Sequence, residues 1–166
     1  MTLLCGGRKA WRAALCAVLI MTAASSGLIV LASAATTERI VTDRFTGLAI
    51  SGFDPVAYFT DGKPKAGRAD FELSGEGVVW RFANEGNRAA FEADPEIYMP
   101  QFGGYDPIAV ARGVATAGYP EIWLISGDKL YFFYSVAARD AFTADPEGAR
   151  LAADERWPQV LGTLVP

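Results

Sequence analysis

Two segments carry the residues best suited to chemistry. In Asp54-Pro55-Val56 the carboxylate could meet a ligand or a hard cation, and it suits equally a helix N-cap that accepts a backbone N–H. In Phe102-Gly103-Gly104-Tyr105-Asp106-Pro107 the paired glycines permit positive φ and close backbone approach. Such turns can also present several N–H groups to an anion. Asp106 has the same two roles open to it, a polar contact to a ligand or hard metal and an N-cap before Pro107. Capping is favoured for both aspartates. Tyr58, Tyr98 and Tyr105 lie in motif segments beside turns and are candidates to line a pocket. The candidate site is therefore Asp54, Tyr58, Tyr98, Gly103, Gly104, Tyr105 and Asp106, with Asp54 and Asp106 as the hard-metal ligands.

Much chemistry is excluded by what is missing. The chain has no histidine, and its two cysteines are Cys5 and Cys16. Both fall in a segment laid out as an export signal. Arg8, Lys9 and Arg12 come first, an apolar run extends from Ala13 to Leu31, and Ala32-Ser33-Ala34 offers the small residues a signal peptidase requires. Cleavage is expected after Ala34, which places the protein in the periplasm or outside the cell. The alternative is a retained anchor, because the run approaches the ~20 residues that span a bilayer. The mature chain would hold neither thiol nor imidazole, so Ser-His-Asp and Cys-His catalysis and thiolate or imidazole metal sites are excluded. Lys63, Lys65 and Lys129 lie in turns, which leaves an Asp54–Asp106 carboxylate pair as the one acid–base alternative. The net charge of −4 becomes more negative once the three basic residues of the signal are gone. An acidic domain with no basic cluster is a poor nucleic-acid binder.

The elements that must position these residues can be read from local signals. Residues 35–47 read as a polar lead-in, and the domain proper as 48–166. Pro55 to Phe59 fits a helical turn or a short strand, and the helical turn is preferred. Ala69–Leu73 and Val78–Phe82 read as a hairpin about Ser74-Gly75-Glu76-Gly77, with Val78, Trp80 and Phe82 on one face. Asn84 caps a helix that stops at Asp94-Pro95, because the residue before proline resists the α conformation. A second turn then covers Glu96 to Met99, and Ile108 to Arg112 reads as helical. The pattern recurs as strands Glu121–Ser126 and Leu130–Tyr134, a helix capped by Ser135, and a restart at Asp145-Pro146 that leads to Trp157-Pro158. Trp80-Arg81-Phe82-Ala83-Asn84 matches Tyr131-Phe132-Phe133-Tyr134-Ser135, and Asn87 to Glu96 matches Ala138 to Glu147. This predicts an α+β fold: a small antiparallel sheet with helices packed on one face, built from two hairpin-plus-helix repeats. The run Tyr131 to Tyr134 is expected to send some rings outward or into a cleft.

Ile50 to Phe59, Trp80 to Asn84, Phe91-Glu92-Ala93-Asp94-Pro95-Glu96-Ile97-Tyr98 and Phe102-Gly103-Gly104-Tyr105 together resemble the YHS domain family, and most closely its exported bacterial branch. The likeness spans Leu48 to Pro158. It implies a small module, often metal-associated, in metal-transport or redox settings. The cysteines of the family pattern are replaced here by Ala57-Tyr58, by Ala83 to Asn87 and by Asp106-Pro107, so a soft-metal site of the family kind has no ligands and no cofactor is assigned. The expected function is an exported, non-catalytic binding module for a small ligand or hard metal ion. The alternatives are a protein-interaction or structural accessory domain of an envelope system, or a carboxylate enzyme. The expected partner is a small molecule or an envelope protein, with no nucleic acid, and with a membrane only if the signal is retained.

Overall fold

The computed structural model describes residues 38–164; the signal segment and its cleavage point lie outside them. Two hairpins organise the fold. Strands β1 (Arg68–Gly75) and β2 (Val78–Phe82) form one antiparallel pair, and β3 (Tyr119–Ser126) and β4 (Lys129–Phe133) form another. They are two separate two-stranded sheets, not the single sheet the sequence suggested. Each turns through two residues at positive φ, Glu76-Gly77 and Gly127-Asp128, the geometry whose twist suits a tight hairpin. Both ladders slip register in the same place, between Arg68 and Glu72 and between Tyr119 and Trp123.

A short helix, α1 (Ala57–Thr60), precedes β1, and further helices follow each hairpin. Helix α2 (Glu85–Ala93) starts at Asn84, whose side chain accepts from Asn87 N at 2.9 Å, and stops before Pro95, where α3 (Pro95–Tyr98) begins. Helix α4 (Pro107–Val110) is one turn, shorter than the Ile108–Arg112 segment expected. Helix α5 (Val136–Ala144) is capped by Ser135, as read from sequence, and α6 runs over Pro146–Leu161. It continues through Pro158 instead of stopping there. Pro158 lies close to the helix end, and its carbonyl accepts from Gly162 N at 3.2 Å.

The core has two lobes that share β4. Leu130 and Phe132 join Ile50, Tyr58, Trp80, Phe82 and Phe91 in one lobe. Tyr131 and Phe133 join Tyr105, Val110, Phe142 and Val160 in the other. Alternate side chains of a strand point to opposite faces, so a strand between two apolar lobes must be apolar throughout. Part of the run still faces outward or into a cleft, as expected: Phe132 and Phe133 are core, Tyr134 emerges at 54% exposure, and Tyr131, itself buried, lines a cleft. Tyr58 packs within the first lobe. Its ring meets Trp123 edge-on at 5.2 Å and Phe132 at 5.3 Å, and its hydroxyl donates to Pro120 O at 2.9 Å.

Burial pushes the Tyr58 hydroxyl well above the ordinary tyrosine range, with Glu121 and Asp54 adding to the rise. Its folded pKa thus exceeds the unfolded value of about 10. The stability it contributes is whole below about pH 10 and falls as pH climbs toward the folded value. Urea unfolding of wild type and Tyr58→Phe at a series of alkaline pH values checks this. The variant is expected to lose about 1 kcal/mol at neutral pH and to show a shallower alkaline decline.

The lead-in belongs to the fold. Val41 and Thr42 are buried. Val41 N donates to Gly103 O and Val41 O accepts from Ile50 N, both at 2.8 Å. One residue thereby ties together two left-handed turns, Ile50-Ser51-Gly52 (φ 44, 57, 75) and Phe102-Gly103-Gly104 (φ 54, 61, 91). Among the described residues no helix is long and apolar enough to cross a membrane.

Candidate functional site

The residues expected to form a site are placed as structural supports. Asp54 is fully buried. Its Oδ1 accepts from Val56 N and Ala57 N (2.9 and 3.2 Å), and its Oδ2 from Ala83 N and Asn87 Nδ2 (2.8 and 2.6 Å). Four donors fill the carboxylate. Asp106, 2% exposed, repeats the arrangement: Oδ1 accepts from Ile108 N and Ala109 N (2.8 and 3.4 Å), and Oδ2 from Tyr134 N at 2.9 Å. Each aspartate caps the helical turn after its proline and also fastens it to the residue that follows β2 or β4. Oxygens spent this way are not offered to a metal or a reacting group. Among the described residues no group of three or more acidic, histidine or cysteine side chains is placed to hold a metal ion.

The tyrosines and glycines follow suit. Tyr58 is core. Tyr98 is half-buried and edge-on to Phe59 at 5.5 Å. Tyr105 is buried and its hydroxyl donates to Glu38 O at 2.6 Å. At Gly103 a Cβ would lie 2.0 Å from Arg39 O, so this position admits the lead-in, not an anion. The structure thus places the seven residues as caps, core and ring contacts and a close approach, and none of them lines the clefts described below.

A cleft of about 410 Å³ opens elsewhere, between the β3–β4 turn and α6. Tyr131 and Phe142 line it, with Ser126 and Lys129 from the hairpin, Gln101, and Glu147, Arg150 and Asp154 from α6. Spacing puts the last three on one helix face. Arg150 bonds Glu147 Oε1 at 2.6 Å and Asp154 Oδ2 at 2.6 Å. Tyr131 is 1% exposed as a whole; among the described residues its hydroxyl has no protein hydrogen-bond partner, and it is open to solvent in the cleft. Burial raises its pKa; Arg150 opposes that rise, while Asp154 and Glu147 add to it, so it stays a protonated donor at neutral pH.

The first half has the corresponding hollow, about 290 Å³, lined by Leu73, Glu76, Trp80, Phe91, Glu92 and Pro95. There Trp80 occupies the place of Tyr131, and its indole N–H is already given to Gly75 O at 3.2 Å. A donor bonded within the protein on one side and one open to solvent on the other separate the two hollows. No family model, curated protein or solved structure matches this chain.

Sequence reasoning missed Tyr131, Lys129, Glu147, Arg150 and Asp154. A signal existed in the Glu147/Arg150/Asp154 spacing, three and four residues apart, but it reads first as a solvated helix face.

Proposed function

We propose that this chain is an exported, non-catalytic binding module on a YHS-like domain, and that it holds a small polar ligand in the Tyr131 cleft. The observation that carries the reading is the Tyr131 hydroxyl. It lines the cleft with no protein partner and is open to solvent there, so a ligand acceptor exchanges a water contact for a hydrogen bond of about 0.5–1.5 kcal/mol. The cleft volume lies in the range typical of small-molecule sites. Its ionic groups, Lys129, Arg150, Glu147 and Asp154, balance in charge, which suits a polar ligand of no net charge. This moves the site away from Asp54 and Asp106 and keeps the class of function.

Ligand-observed NMR with a library of small polar fragments, run on wild type and Tyr131→Phe, tests it. Fragments that bind wild type are expected to weaken about 3- to 10-fold in the variant, the loss of one hydrogen bond. Fragments that bind both proteins equally place the ligand elsewhere and overturn the reading. A protein-interaction role is the second reading. It is favoured by the stacked Tyr119–Tyr134 pair, centroids 5.5 Å apart, which lies over half exposed beside exposed Val136.

A further inference from the structure

We propose that the ligand of the Tyr131 cleft is a zwitterionic α-amino acid with an apolar side chain. The inference rests on the cleft being the binding site and deepens it. The charges around the cleft are unevenly satisfied. Arg150 is held by Glu147 and Asp154 on its own helix, so that triad carries one negative charge in excess. Lys129, at the start of β4 and facing the triad across the cleft, has no ion-pair partner among the described residues. One wall therefore lacks an anion and the other lacks a cation.

A ligand bearing both satisfies both. Its carboxylate would accept from the Lys129 ammonium and from the Tyr131 hydroxyl, the unpartnered donor at the floor. Its ammonium would donate to Glu147 and Asp154, whose oxygens have capacity beyond the N–H groups of Arg150. Phe142 and Pro146, the apolar members of the lining, offer a surface to an aliphatic or aromatic side chain. The opposite hollow provides an internal contrast. Its carboxylates, Glu76 and Glu92, face no cation among its lining residues, and its Trp80 donor is taken, so it lacks the anchor for a ligand carboxylate.

Isothermal titration calorimetry on the purified protein decides the matter with L-leucine and L-phenylalanine. Two analogues of leucine each keep one charge, 4-methylpentanoate and 3-methylbutylamine. Leucine is expected to bind at least ~10-fold tighter than either analogue, since each lacks a charge-assisted hydrogen bond. Lys129→Gln should weaken leucine about 10-fold or more and leave 3-methylbutylamine unchanged. This side chain is at the first position of β4, next to the turn and only partly buried, so the variant should fold. If a singly charged analogue binds as tightly as leucine, and weakens in Tyr131→Phe, the zwitterion proposal falls while the cleft stands. If neither amino acid binds wild type, the proposal falls outright, and the fragment experiment alone then judges the cleft.

Discussion

Gly103→Ala is expected to destabilise the protein by about 3 kcal/mol or more, while Gly62→Ala costs about 1 kcal/mol. The two glycines have nearly the same backbone, φ 61 and φ 63, so the strain of a Cβ at positive φ is common to both. They differ in surroundings. Nothing lies within 4 Å of a Cβ at Gly62, whereas one at Gly103 would stand 2.0 Å from Arg39 O and 3.1 Å from Arg39 C. Those are backbone atoms and cannot swing aside. Either the lead-in lifts or the left-handed turn distorts. Lifting breaks Val41 N to Gly103 O, Ile50 N to Val41 O and Tyr105 OH to Glu38 O, and exposes Val41. Urea unfolding gives the two losses. Hydrogen exchange at the Val41 and Ile50 amides locates the damage, since these should lose protection in Gly103→Ala alone. Equal losses for the two variants would show that the close approach contributes nothing.

What could be read from sequence was what is encoded locally. Asn84 and Ser135 announced their helices, and Asp94-Pro95 and Asp145-Pro146 announced the ends, because a cap or a proline acts within a few residues. The hairpins were legible for the same reason. Pairing between hairpins was not: alternation identifies a strand but carries no information on its neighbours, and one sheet was expected where there are two. The run Tyr131 to Tyr134 was legible as a strand with some rings facing outward or into a cleft, but which rings those are depends on a second core lobe, which only the tertiary fold supplies. The lead-in was misread because its ties are largely main-chain bonds, which leave no mark on residue type. Asp54 was legible as a cap. Its other two donors come from Ala83 and Asn87, 29 and 33 residues away, and no local pattern contains them. Tyr131 stood in sequence only as one of four consecutive aromatics, some of which were expected to face a cleft, and nothing local singled out its hydroxyl.

The distinction between a cap and a ligand group at Asp54 and Asp106 yields the second large effect. Asp54→Ala is expected to cost about 3–5 kcal/mol, because Val56 N, Ala57 N, Ala83 N and Asn87 Nδ2 lose their acceptor inside the fold. Asp106→Ala should cost somewhat less, about 2–4 kcal/mol, since three N–H groups depend on it. Asn84→Ala, which removes an exposed cap holding one N–H, sets the scale at about 1 kcal/mol. Groups that serve a ligand behave in the opposite sense: their removal commonly leaves stability unchanged or raises it, because function is maintained at the expense of local strain. Urea midpoints for the three variants, with unchanged slopes, therefore separate the two roles. Losses in the order Asp54, Asp106, Asn84 identify the aspartates as the staples that hold each proline turn to its hairpin. Losses at Asp54 and Asp106 no larger than at Asn84 would return them to the list of binding groups and undo the transfer of the site to Tyr131. The staple account also requires that binding in the cleft survive Asp106→Ala under conditions where that variant is folded, since the Asp106 carboxylate bonds Ile108 N, Ala109 N and Tyr134 N, none of them from a residue that lines the cleft.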